Sequence, residues 1–81
     1  MSNAIITERI IQHRLASMLG MTVMLPGVAR FYDMQRDQMM MALRANGREV
    51  HIHVPARDLT LSLDDFAERH LKAAAQALAV A

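Results

Sequence analysis

MMMALRANGREVHIHV, residues 39–54, is the stretch whose reading decides the fold. Asn46-Gly47 near its centre is the strongest short-range signal for a two-residue hairpin turn, because both central positions of that turn need a positive φ. With the turn placed there, Ala45 faces Arg48, Arg44 faces Glu49, Leu43 faces Val50 and Ala42 faces His51. Met41 then faces Ile52, Met40 faces His53 and Met39 faces Val54. Alternation sorts the two faces without adjustment. One face holds Met39, Met41, Leu43, Val50, Ile52 and Val54, all apolar. The other holds Met40, Ala42, Arg44, Glu49, His51 and His53. The Arg44–Glu49 pair falls directly across the ladder, an arrangement worth about 0.2–1 kcal/mol. A slip of one residue would invert both faces. A helix over 34–45 that ends at Gly47 is the competing reading, and the propensities allow it. It scatters Met39, Met40, Met41 and Leu43 around the helical wheel, so the hairpin is preferred. Pro55 ends the second strand, since it cannot donate to a ladder.

Residues 62–79 read as a helix. Ser62 is the expected N-cap, Asp65 stands near the capping-box position, and Leu61 and Phe66 have the spacing of a hydrophobic staple. Asp64 and Asp65 suit the positive end of the helix dipole. Leu63, Phe66, Ala67, His70, Leu71, Ala74 and Leu78 form one stripe, and Asp64, Glu68, Arg69, Lys72 and Gln76 face away. Residues 3–19 read as a second helix, capped by Ser2 or Asn3 and closed by Gly20 in a left-handed conformation. Its apolar positions make two stripes: Ile11, Leu15 and Met18, and about 120° away Ile6 and Ile10, extended by His13 and Ser17. Between these elements, Pro26-Gly27 marks a turn, and residues 28–34 are β-branched and aromatic enough for a strand.

The expected fold class is therefore α+β, in a single small domain spanning residues 1–81. It has an N-terminal helix, a small antiparallel sheet of two or three strands with the hairpin at Asn46-Gly47, and a C-terminal helix packed on the sheet. At 81 residues the chain buries a small core. It contains no cysteine, which excludes disulfides and thiolate sites and fits a cytoplasmic protein. Apolar residues make up 53% of it but aromatics only 4%. More apolar surface than a small core hides points to a partner or a homo-oligomer. No apolar run approaches the roughly 20 residues of a membrane helix. Glu8 and Arg9 interrupt the stretch that a signal peptide would need, so neither membrane nor secretion is expected.

The net charge of +1 argues against a dedicated nucleic-acid binder. The charges are unevenly placed. Arg30, Arg36, Arg44, Arg48 and Arg57 outnumber Asp33, Asp37 and Glu49, whereas Asp58, Asp64, Asp65 and Glu68 outnumber Arg69 and Lys72.

His51 and His53 fall on one strand face about 6–7 Å apart, which two ligands of one zinc ion can do. A zinc site needs at least three protein ligands, and only Glu49 and Asp58 are close in sequence. Alternation explains the histidines together with Arg44 and Glu49, so no metal and no cofactor is expected. His70 interrupts an apolar stripe and needs a hydrogen-bond partner, expected to be a backbone carbonyl. No serine, cysteine or lysine stands at a spacing that makes a nucleophile–base pair, and no glycine loop resembles a phosphate cradle. The chain is therefore expected not to be an enzyme.

Methionine is flexible, polarizable and over-used on adaptable binding surfaces. Met18, Met21, Met24, Met34, Met39, Met40 and Met41 cluster in one part of the chain. Core filling accounts for most of them. Met40 is the exception, because the hairpin register places it on the outer face. The expected function is a non-enzymatic interaction module, such as an adaptor, complex subunit or inhibitor, that binds a larger protein. Phage and mobile-element inhibitors of host machinery have this size. The expected partner-binding residues are Met40, Arg44, Arg48, His51 and His53, with Arg30, Arg36 and Arg57 around them. Ile6 and Ile10 are the expected contact of a homodimer. The alternative is nucleic-acid binding, in which the arginines track phosphates and Phe31 or Tyr32 stacks on bases.

Overall fold

The computed structural model describes residues 5–26 and 30–79, with Arg30 and Phe31 described through their backbone alone. The architecture is α+β: an N-terminal helix α1 (Glu8–Leu19), strands β1 (Arg30–Asp33), β2 (Gln38–Ala45) and β3 (Arg48–Pro55), then a C-terminal helical run. The three strands form an antiparallel meander in the order β1-β2-β3. The β2–β3 register is the one set by the Asn46-Gly47 turn, from Ala45 opposite Arg48 to Gln38 opposite Pro55. The helix considered for 34–45 does not form, since residues 38–45 are strand.

Asn46 and Gly47 both have positive φ, 56° and 70°. A Cβ on Gly47 would meet nothing within 4 Å, so a substitution there tests backbone conformation alone. Gly47→Ala is expected to cost about 1–2 kcal/mol in equilibrium unfolding, the penalty of a left-handed conformation for an L-residue. Asn46 has a second task, because its side-chain amide donates to the Leu78 carbonyl at 3.0 Å. That carbonyl lies in the last turn of the C-terminal helix, where intrahelical donors run out. Asn46→Gly keeps the turn and loses the bond, an expected loss of about 0.5–1.5 kcal/mol. Asn46→Ala loses both and should be the less stable of the two by about 1 kcal/mol.

The C-terminal run is an α-helical turn α2 (Leu63–Phe66), a π-helical turn (Ala67–Leu71) and a helix α3 (Lys72–Ala79). Ser62 caps it as expected, its hydroxyl accepting from the Asp65 N–H at 3.2 Å. A short 3₁₀ turn, Ala56–Thr60, leads into it from β3. The cap of α1 differs from expectation. Thr7 takes that role, accepting from the Ile10 N–H at 3.3 Å, so the helix starts after it. Ser2 and Asn3, the expected caps, lie outside the described residues, as does Gly27 of the expected Pro26-Gly27 turn. Gly20 closes α1 in the left-handed conformation, with φ 68°.

The core lies between the helices and one face of the sheet. Ile11, Leu15, Leu43, Val54, Phe66, Leu71 and Leu78 are all fully buried there. Met18, expected in the core stripe of α1, is instead exposed, because α1 ends just beyond it and the chain turns away at Gly20. Met21, Met24 and Met34 are exposed as well, whereas Met39 and Met41 are buried as the alternation requires. Between β1 and β2, the Asp33 carboxylate accepts from the Gln35 and Arg36 N–H groups, and Asp37 adopts φ 51°. Short polar side chains of this kind bond to nearby backbone and tolerate left-handed geometry.

Candidate functional site

Polar side chains gather on the outer face of the hairpin and at the junction between the 3₁₀ turn and the C-terminal run. On the outer face, the register sets Met40 opposite His53, Ala42 opposite His51 and Arg44 opposite Glu49. Arg44 donates to one Glu49 oxygen at 2.7 Å, and His51 Nε2 lies 2.7 Å from the other. These two contacts hold the Glu49 carboxyl below its usual range, the His51 hydrogen bond most and Arg44 next. All three side chains are substantially exposed, so the network fixes the geometry of the face more than it stabilises the fold. His53 is exposed and has no hydrogen-bond or ion-pair partner among the described residues. Ala42 is buried and Met40 half-buried, so the apolar part of the face lies low between the charged groups.

The sequence had grouped further residues with this face, and the structure separates them. Arg48 faces Ala45 and by alternation belongs to the helix-side face, where it projects exposed past the end of the core. Arg36 lies in the β1–β2 turn, 4.0 Å from Asp33. Arg57 lies in the 3₁₀ turn, 4.0 Å from Asp58. Arg30 stands opposite Met41 in the register.

The expected homodimer stripe also divides. Ile6 is 5% exposed and its N–H bonds to the Leu59 carbonyl at 2.8 Å. It precedes the cap and folds into its own core, so the expectation of an exposed contact at Ile6 is corrected. Ile10, His13 and Ser17 line an open, mostly apolar groove of about 460 Å³ with Thr7, Arg14 and Leu63. Its rim is tied by the Arg14–Asp64 ion pair at 2.5 Å.

The second polar site was not legible in the sequence. The 3₁₀ turn carries Asp58 under the helical run, where it is 4% exposed. His70 Nε2 lies 2.7 Å from one of its oxygens, and Arg69 approaches the other at 3.5 Å. The partner of His70 is thus a carboxylate and not the backbone carbonyl expected. The His70 hydrogen bond, with Arg69 and Arg57 behind it, lowers the Asp58 carboxyl from its ordinary value against the opposing effect of burial. The His70 ring also packs on Phe66, with centroids 5.0 Å apart. The His70 and Arg69 contacts with Asp58 tie the 3₁₀ turn to the helical run. The sequence brought in Asp58 only as a neighbour of the strand histidines, and the signal for its actual place was His70 in an apolar stripe, which required a partner from elsewhere.

Among the described residues no group of three or more histidine, aspartate or glutamate side chains is placed to hold a metal ion. No helix among them is long and apolar enough to cross a membrane. Comparison with known protein families, curated proteins and solved structures found no match to this chain.

Proposed function

We propose that the chain is a cytoplasmic, non-enzymatic interaction module that binds a larger protein through the outer face of its hairpin. The observation that carries this reading is one-sided coverage of the sheet. Helices pack on the face of Met39, Met41, Leu43 and Val54, while Arg44, Glu49, His51 and His53 stand exposed on the other. An apolar floor of Met40 and Ala42 with charged and imidazole groups around it has the makeup of a protein interface. The Arg44–Glu49–His51 network holds these groups in place before a partner arrives, which lowers the entropy lost on binding. Non-catalytic action is supported by the histidine contacts. His51 and His70 bond to carboxylates, and among the described residues no histidine is hydrogen-bonded to a serine or lysine.

Nucleic-acid binding is supported less well. Of the arginines that would follow a phosphate backbone, Arg44 is held by Glu49 at 2.7 Å, and Arg36 and Arg57 each lie 4.0 Å from a carboxylate of the same chain. Affinity capture of the tagged protein from host lysate, with and without nuclease, tests the choice. A stoichiometric protein retained after nuclease is the expected result. Co-purifying nucleic acid, or a set of proteins lost with nuclease, contradicts it.

A further inference from the structure

The outer edge of β3 offers a second contact, made by the backbone groups of residues whose side chains stand on the outer face. In the β2–β3 ladder the turn-closing pair Ala45–Arg48 exchanges hydrogen bonds, and so by alternation do the pairs of Val50, Ile52 and Val54. The N–H and C=O groups of Glu49, His51 and His53 therefore point away from β2. β3 is the edge strand of the sheet, and no strand among the described residues covers that side.

Such edges pair with other strands unless something blunts them. Here the blunting is weak. The eight-residue strand has an uninterrupted register without a bulge, it carries no lysine, and its only proline is its last residue, Pro55. Val50 and Ile52, on the core side of this edge, are only half-buried.

We propose that β3 pairs with β3 of a second copy of this chain, antiparallel about a two-fold axis at His51, so that two three-stranded sheets become one. The strand is self-complementary in that register. Glu49 stands opposite His53 of the partner and His53 opposite Glu49, while His51 meets its own copy. Each of these pairs exchanges two backbone hydrogen bonds. On the core side Val50 falls opposite Ile52 of the second copy, and both gain cover. The two-fold axis makes every such contact occur twice, as an isologous dimer requires. The register also uses His53, which has no partner within its own chain among the described residues. A shift that brings Glu49 opposite His51 would leave His53 without a carboxylate.

The test is sedimentation equilibrium of the full chain over about 1 µM to 1 mM, the range in which small interfaces dissociate. The wild type and His51→Ala should show a monomer–dimer equilibrium. His51→Pro should be monomeric throughout, because proline deletes the outward N–H and leaves the β2 ladder intact. Amide hydrogen exchange of the wild type gives a reading that needs no variant. The Glu49, His51 and His53 N–H groups should exchange at least tenfold more slowly at the high concentration than at the low one. A wild type that stays monomeric, a folded His51→Pro that still dimerises, or exchange at these three amides that ignores concentration would each overturn the proposal.

Discussion

Phe66→Ala is expected to lower the unfolding free energy by about 3–5 kcal/mol, the usual loss when a large aromatic leaves a closed core. Phe66 is fully buried, in the same cluster as Leu43, Val54 and Leu71. It is also the last residue before the π-helical turn, and its ring supports His70. A cavity there loosens both the sheet–helix contact and the Asp58 site. An 81-residue domain has a total stability of about 4–12 kcal/mol, so this one change removes a large part of it. Urea unfolding measures the effect. Leu63→Ala, at the half-buried edge of the α1 groove, is the comparison and should lose clearly less. A loss below about 1 kcal/mol for Phe66→Ala would mean that the helical run does not close the core as described.

The second large effect is a loss of stability in acid. The Asp58 carboxyl is lowered from its ordinary value of 3.8, chiefly by the His70 hydrogen bond and then by Arg69. A carboxyl that is more acidic in the folded state favours folding wherever it is ionised in both states. That contribution is complete above the unfolded pKa of about 4 and disappears as pH falls through the lower folded value. The unfolding midpoint should therefore drop as pH falls below about 4. Asp58→Asn should begin lower, because Arg69 and Arg57 lose their carboxylate, and its decline in acid should be shallower. Glu49 titrates in the same direction on the hairpin. Glu49→Gln separates the two, since its carboxylate lies at the surface and its removal should change the profile less. Parallel acid profiles for the wild type and Asp58→Asn would contradict the role given to this site.

The parts of the fold that were legible in the sequence share one property: the decisive residues lie close together. Asn46-Gly47 sets a turn whose register carries through residues 38–55, and Ser62 marks the start of a helix within one turn of itself. What stayed illegible depends on distant segments meeting. Asp58 and His70 are twelve residues apart and joined only because a 3₁₀ turn follows Pro55. Ile6 looked like part of a helical stripe because Thr7 was not recognised as the cap that leaves it outside the helix. The edge bridge in which Met24 and Arg44 exchange backbone bonds at 2.8 and 2.9 Å has no sequence periodicity to announce it. Of the candidate surface, the alternation of Met40, Arg44, His51 and His53 was readable. The placement of Arg48 on the opposite face was implied by the same alternation and was overlooked.

The central claim is that the outer face of the hairpin is the working surface. Its most direct test is lysate capture with two single variants beside the wild type, Arg44→Ala on that face and Arg9→Ala on the rim of the α1 groove. Arg44 lies on the central strand, so the change leaves the backbone groups of the β3 edge in place. Both variants should remain folded by circular dichroism. The account predicts that the stoichiometric partner is retained by Arg9→Ala and reduced at least tenfold by Arg44→Ala. A partner retained by Arg44→Ala and lost with Arg9→Ala would move the working surface to the groove and contradict the account.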